Sequence, residues 1–248
     1  MNDDPRTREL AANLHAVQER VAVACESAGR APATVIVVTK FFDATDVRRL
    51  ASLGVRDIGE NRDQEAAAKH AQCLDLDLTW HFIGQLQTNK AKSVVGYADL
   101  VHTVDRVSLV RALDKAAQSA GRAQEVLIQV NLDPQVRANR GGVAPSGVQE
   151  LLTAVGDADA LLLRGVMGVA PLGEDPAPAF AALAGVAAHV REQVPGADII
   201  SAGMSSDLEV AVAHGATHLR IGTAVMGSRP TVGYRPPKGG KNNEGEAQ

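Results

Sequence analysis

Thr34-Val35-Ile36-Val37-Val38-Thr39-Lys40 is a short β-branched run that ends in a cation. An apolar run of this kind reads as a strand of a parallel sheet, buried on both faces. Lys40 then falls at or near the strand's C-terminal end, where βα folds place their chemistry. Taken alone, the stretch fits a solvated lysine in a strand-to-helix loop better than a reactive amine, because most lysines are surface groups. A lysine whose surroundings favour the neutral amine can instead form a Schiff base with an aldehyde. The rest of the chain decides between the two.

Working outward, the pattern repeats. Asp43 caps a helix to about Leu53 that stops at Gly54. Further strands are expected at 55–59, 78–84, 100–104, 125–131, 161–167, 197–201 and 217–221. Helices alternate with them, one capped by Asp105 and one opened by a capping box at Ser206-Asp207-Leu208-Glu209. Eight strand–helix units with short connections imply parallel pairing and right-handed crossovers. The expected fold is α/β, a single closed (β/α)8 TIM barrel rather than an open doubly wound sheet. A dinucleotide fold would want G-x-G-x-x-G after its first strand, where this chain has Lys40-Phe41-Phe42-Asp43. Upstream, Asp4-Pro5 opens an extra N-terminal helix. Its Leu10, Leu14, Val17, Val21 and Cys25 recur at spacings of four, three, four and four, making one apolar stripe. Residues 1–229 are expected to form the domain. The Pro-, Gly- and Lys-rich residues 230–248 are expected to be a disordered tail.

Composition excludes several functions. With 248 residues and 45 % hydrophobic, the chain fills one barrel-sized core, and 3 % aromatics leave that core to aliphatic side chains. A net charge of −4 gives no footprint for nucleic acid. Cys25 and Cys73, far apart, make neither a disulfide framework nor a zinc motif. The acidic Met1-Asn2-Asp3-Asp4 start is unlike a secretory signal, and no apolar run is long enough to span a bilayer. A cytoplasmic protein is expected, with no nucleic-acid or membrane partner.

The strand ends collect polar groups: Lys40, Asn61, His81, Asn131, Ser201 and Arg220. Each alone could be an ordinary solvent-facing residue. The last two loops, Ser201-Ala202-Gly203-Met204-Ser205 and Arg220-Ile221-Gly222-Thr223, are small and rich in backbone N–H groups. Loops after strands seven and eight are the usual phosphate site of this fold. Lysine opposite a phosphate cradle suggests a phosphorylated aldehyde held as an aldimine, and pyridoxal phosphate is the common cofactor of that kind. Arg220 would then be its ring-nitrogen partner. Tyr97 and Tyr234 are the only tyrosines.

These residues carry a resemblance. Val38-Thr39-Lys40, Ile58-Gly59-Glu60-Asn61, Trp80-His81-Phe82-Ile83-Gly84, Gln129-Val130-Asn131, Gly165-Val166-Met167, Gly203-Met204-Ser205 and Arg220-Ile221-Gly222-Thr223-Ala224 resemble the pyridoxal phosphate homeostasis proteins. Those are single-domain relatives of the alanine racemase N-terminal barrel. The resemblance implies Lys40 as the aldimine lysine, Ser205, Gly222 and Thr223 on the phosphate, Arg220 at the pyridine nitrogen, and Asn61 and His81 in the pocket. It implies a carrier or regulator of the cofactor, with no established turnover, and the chain is expected to be a monomer. Free amino acids and apo enzymes that use the cofactor are the partners it suggests. The chain departs from the family at Phe41-Phe42, Arg62-Asp63, Gln85, Ala202 and Arg140, the last standing where relatives often carry a lysine. The alternative is a racemase or decarboxylase on the same barrel. Such enzymes add a β domain and a partner-chain tyrosine, and this fold is expected to end near Arg229.

Overall fold

The strands run in parallel, each paired with the next in sequence, and the last pairs with the first to close an eight-stranded barrel. The computed structural model describes residues 4–133 and 141–228, so Arg140, Tyr234 and residues 229–248 lie outside the described residues. The strands are β1 Thr34–Val38, β2 Asp57–Glu60, β3 Thr79–Phe82, β4 Leu100–Val104, β5 Gln124–Val130, β6 Leu161–Gly168, β7 Ile199–Ser201 and β8 His218–Ile221. The helices are α1 Pro5–Ser27, α2 Ala44–Ser52, α3 Asp63–Ala71, α4 Ala91–Val95, α5 Val107–Ala120, α6 Val148–Gly156, α7 Ala177–Gln193, α8 Leu208–Ala213 and α9 Thr223–Met226. The expected (β/α)8 barrel is therefore the fold. Among the described residues, no helix is long and apolar enough to cross a membrane.

Two apolar layers hold it together. The larger lies between barrel and helices and includes Val37, Ile58, Val101, Ile128 and Leu219. The smaller, inside the barrel, is built on Leu100, Leu127 and Met167. Side chains alternate along each strand, so the two layers take alternate residues. The interior is not wholly apolar. His81, His102, Ser201 and Arg220 are buried in it.

α1 begins as its sequence dictates, with the Asp4 carboxylate accepting the Arg6 N–H and Pro5 in the first turn. Its stripe from Leu10 to Cys25 is buried. The helix lies on the side of the barrel against α2, α8 and α9. There it packs beside the six-residue α8.

Two expected caps are corrected. α5 starts after Arg106 with no side-chain cap, because the Asp105 carboxylate accepts from Arg106 Nη1 at 2.6 Å and from the Gly142 N–H at 3.4 Å. The capping box before α8 does not form either. Asp207 Oδ1 turns back to accept the Met204 N–H at 2.6 Å, tightening the loop after β7. Strand β2 also starts two residues later than expected and includes Glu60.

Candidate functional site

A cavity of about 430 Å³ opens at the C-terminal ends of the strands, and its wall includes Lys40, Asn61, Ser205, Arg220, Gly222 and Thr223. Six of the seven expected binding residues thus meet at one mouth. His81 does not, and its expected place in the pocket is corrected. Its side chain turns into the barrel interior, 3 % exposed, with its ring nitrogens 3.0 Å from His102 Nε2 and Asp57 Oδ1.

Lys40 follows β1 in a segment clamped on both sides. The Thr39 hydroxyl donates to Glu60 Oε1 at 2.6 Å, and the Thr39 carbonyl accepts from Lys69 Nζ at 2.8 Å. The Phe41 N–H donates to Glu65 Oε1 at 2.7 Å. Lys69 Nζ binds Glu60 at 2.6 Å and Glu65 at 2.8 Å, and its side chain is 1 % exposed. Phe41 is held at φ 74°, the one non-glycine residue at positive φ among those described, a conformation that costs about 1–2 kcal/mol. Burial pushes the Glu60 carboxyl above its usual range, against the pull of Lys69. This ion triad escapes sequence reasoning. Glu65 and Lys69 stand four apart on a helix, which reads as an ordinary surface pair, yet with Ala66 they form the buried face of α3. The available signal is an α3 that carries no apolar stripe other than alanine.

Asn61 follows β2, and its Oδ1 is buried with no hydrogen-bond partner among the described residues. Gly84 makes room for it, since a Cβ there would fall on the Asn61 carbonyl. The orphaned acceptor faces a ligand donor more cheaply than it faces nothing.

The opposite wall is made by the loops after β7 and β8. Gly203 sits at φ +90°, where a Cβ would also meet the Ala211 Cβ at 2.7 Å. Its carbonyl accepts the Arg220 N–H at 3.0 Å. Ser205 Oγ accepts the Ala224 N–H at 3.4 Å, tying the two loops together. α1 supports both loops from behind. Arg20 donates to the Ser205 carbonyl at 3.1 Å, Asn13 to that of Val225 at 3.0 Å and Arg6 to that of Met226 at 3.0 Å. Arg220 donates through Nη1 to Ser201 Oγ at 2.6 Å and through Nη2 to the Gly168 carbonyl at 2.8 Å. Burial lowers its pKa to about 10, so it remains a cation at neutral pH. An amine, a guanidinium, two hydroxyls and a buried acceptor around one small cavity fit a phosphorylated aldehyde with a polar ring. Tyr97 is elsewhere, between the barrel and its helices with His70 beside it. Burial raises its hydroxyl pKa.

Residues 12–230 match the model of the alanine racemase N-terminal domain family. The pyridoxal phosphate homeostasis protein of Mycobacterium tuberculosis H37Rv is 42 % identical over 245 residues, covering 90 % of this chain and 94 % of its own. The chain belongs to the pyridoxal phosphate homeostasis protein family. The solved structure of PipY from Synechococcus elongatus PCC7942 with pyridoxal phosphate bound matches with a TM-score of 0.78 at 35 % identity, over 88 % of this chain and all of that one. The alanine racemase of Streptomyces lavendulae shares the fold at 15 % identity and a TM-score of 0.71, but this chain covers only 56 % of it. This chain thus covers nearly the whole length of both homeostasis-type relatives, 94 % of the Mycobacterium tuberculosis protein and all of PipY.

Proposed function

We propose that this protein binds pyridoxal 5'-phosphate and serves its homeostasis, as the names of its relatives state for them. The observation that carries the proposal is the single cavity shared by Lys40, Arg220 and the loops bearing Ser205, Gly222 and Thr223. Bound there, pyridoxal phosphate supplies an electrophilic aldehyde on an electron-withdrawing ring. Lys40 offers the amine that holds the aldehyde carbon. Ser205, Thr223 and the backbone at Gly222 hold the phosphate. Asn61 Oδ1 accepts from a ring substituent. Arg220 faces the ring nitrogen as a donor and has no acceptor atom, so it keeps that nitrogen unprotonated and the ring a weak electron sink.

The same arrangement supports a carrier rather than a catalyst. Racemisation needs a second base across the substrate from Lys40, and among the described residues Tyr97 lies outside the cavity. Exchange of the cofactor to a free amino acid or an apo enzyme needs no such base. A monomer in the cytoplasm belongs to the same proposal, and light scattering should give the mass of one chain. The rival reading, a racemase or decarboxylase, rests on the shared barrel alone.

The test is a visible spectrum of the holo-protein followed by borohydride reduction and peptide mapping. Lys40→Ala should abolish both the absorbance and the fixed adduct. An adduct on Lys90 or another lysine would move the site.

A further inference from the structure

One chain of polar groups crosses the barrel interior from end to end. Asp57 opens β2 at the face opposite the cavity, in the wall of a recess of about 520 Å³ that includes Arg30 and Arg56. Its Oδ1 lies 3.0 Å from His81 Nε2. His81 Nδ1 lies 3.0 Å from His102 Nε2. His102 Nδ1 lies 3.0 Å from Ser201 Oγ, and Ser201 Oγ takes the Nη1–H of Arg220 at 2.6 Å. Ser201 and His102 are fully buried.

The two ends fix where every proton sits. A guanidinium only donates, so Ser201 Oγ accepts from Arg220. The serine hydroxyl must then donate onward, because a buried hydroxyl without an acceptor loses its full desolvation cost, and the acceptor within reach is His102 Nδ1. Burial keeps His102 neutral, its pKa driven well below the usual value. Its one ring proton is therefore on Nε2 and points at His81 Nδ1. His81 carries its own proton on Nε2, directed at the Asp57 carboxylate. His218 packs against His81 at 6.4 Å between ring centroids but bonds Thr217 Oγ1 instead, at 2.9 Å, and stays outside the chain.

We propose that Ser201, His102 and His81 are positioning residues that hold Arg220 at the cavity, in one proton-ordered chain that runs from Asp57 to the ring-facing guanidinium. Removing Ser201 takes away Arg220's side-chain acceptor and leaves the Nη2 bond to the Gly168 carbonyl as its remaining tether, and removing His102 or His81 leaves the serine without its ordered acceptor, so the guanidinium is held less firmly toward the ring nitrogen. The inference rests on the proposed function for what Arg220 faces, but the order of the chain does not.

Two measurements test it. The first is two-bond ¹H–¹⁵N correlation of imidazole-labelled wild-type apo-protein. Both His81 and His102 should be neutral with the proton on Nε2. A proton on Nδ1 of either, or an imidazolium at neutral pH, overturns the chain. The second compares pyridoxal phosphate with its analogue that has carbon in place of the ring nitrogen. Ser201→Ala should weaken pyridoxal phosphate about tenfold, the size of one hydrogen bond to a charged group, and leave the analogue within about twofold. Equal loss for both ligands shows a merely structural serine and overturns the positioning role. If wild-type protein binds neither ligand, the proposed function fails while the imidazole spectrum still decides the chain.

Discussion

Lys69 shows how much a single buried cation can carry. Its ammonium bonds the Thr39 carbonyl and one oxygen of each of two carboxylates that are themselves shut from water. Lys69→Met should cost about 3–5 kcal/mol in urea denaturation, because Glu60 and Glu65 lose the cation they share. Adding Glu60→Gln and Glu65→Gln should restore part of that; no recovery would mean the charges are not what matters. His218 makes a second prediction. Burial foremost, then His81, lowers its pKa from 6.5 to about 4, with Asp57 opposing. Between those values the unfolded chain takes a proton that the folded chain refuses, so stability is full above pH 6.5 and falls as pH drops toward 4. The loss is about 3 kcal/mol at most, and His102 shifts in the same direction. The urea midpoint should fall between pH 7 and pH 5, less steeply in His218→Asn, and an unchanged midpoint would refute it. At the phosphate side, replacing Ser205 and Thr223 together by Ala should weaken pyridoxal phosphate far more than unphosphorylated pyridoxal. Equal weakening would remove both residues from the phosphate.

At the scale of elements, α1 closes the helix ring and braces the loops that make the cavity. Leu14 lies in its buried stripe at 4 % exposure, so Leu14→Ala should cost about 2–5 kcal/mol. Asn13→Ala should do less to global stability but speed hydrogen exchange at Val225 and Met226, whose segment it ties down. If exchange there is unchanged, α1 is packing alone. The turn after β7 is less forgiving. Gly203→Ala combines a left-handed φ with a Cβ 2.7 Å from Ala211 and 2.9 Å from Leu219. It should lower stability by at least about 2 kcal/mol and loosen the loop that carries Ser205.

For the molecule as a whole, the barrel is a rigid frame with chemistry at one end, and ligand binding should appear as added stability. At a hundredfold excess over the dissociation constant, pyridoxal phosphate should stabilise the protein by about 2.7 kcal/mol. Lys40→Ala should lose most of that gain. Holo-protein incubated with L-alanine in deuterated water should show negligible α-deuterium exchange. Rapid exchange that vanishes in Lys40→Ala would make the protein an enzyme and end the carrier reading.

The sequence by itself determined the barrel, the N-terminal helix and six of the residues that line the cavity. Periodicity reports burial directly: eight β-branched runs separated by helical stripes admit few topologies, and strand ends are where such a barrel faces solvent. What it could not reveal was which side of a strand each residue faces. In a parallel barrel both faces are buried, so His81 reads as a strand-end pocket group and His102 as one more residue within an apolar run. Only closure of the sheet brings β4 opposite β7 and sets His102 against Ser201. The same holds for Glu60, Glu65 and Lys69, whose charges read as surface groups along the chain. Folding β1, β2 and α3 together places them in one dry pocket behind Lys40. The two misread caps share the cause, because Asp105 takes the Gly142 N–H of a distant loop and Glu209 of the expected box pairs with Arg20 of α1 instead of closing their own helix starts. Local propensity specifies elements, whereas a polar side chain in the interior takes whichever partner three-dimensional proximity supplies, since leaving it unpaired costs more than any local preference.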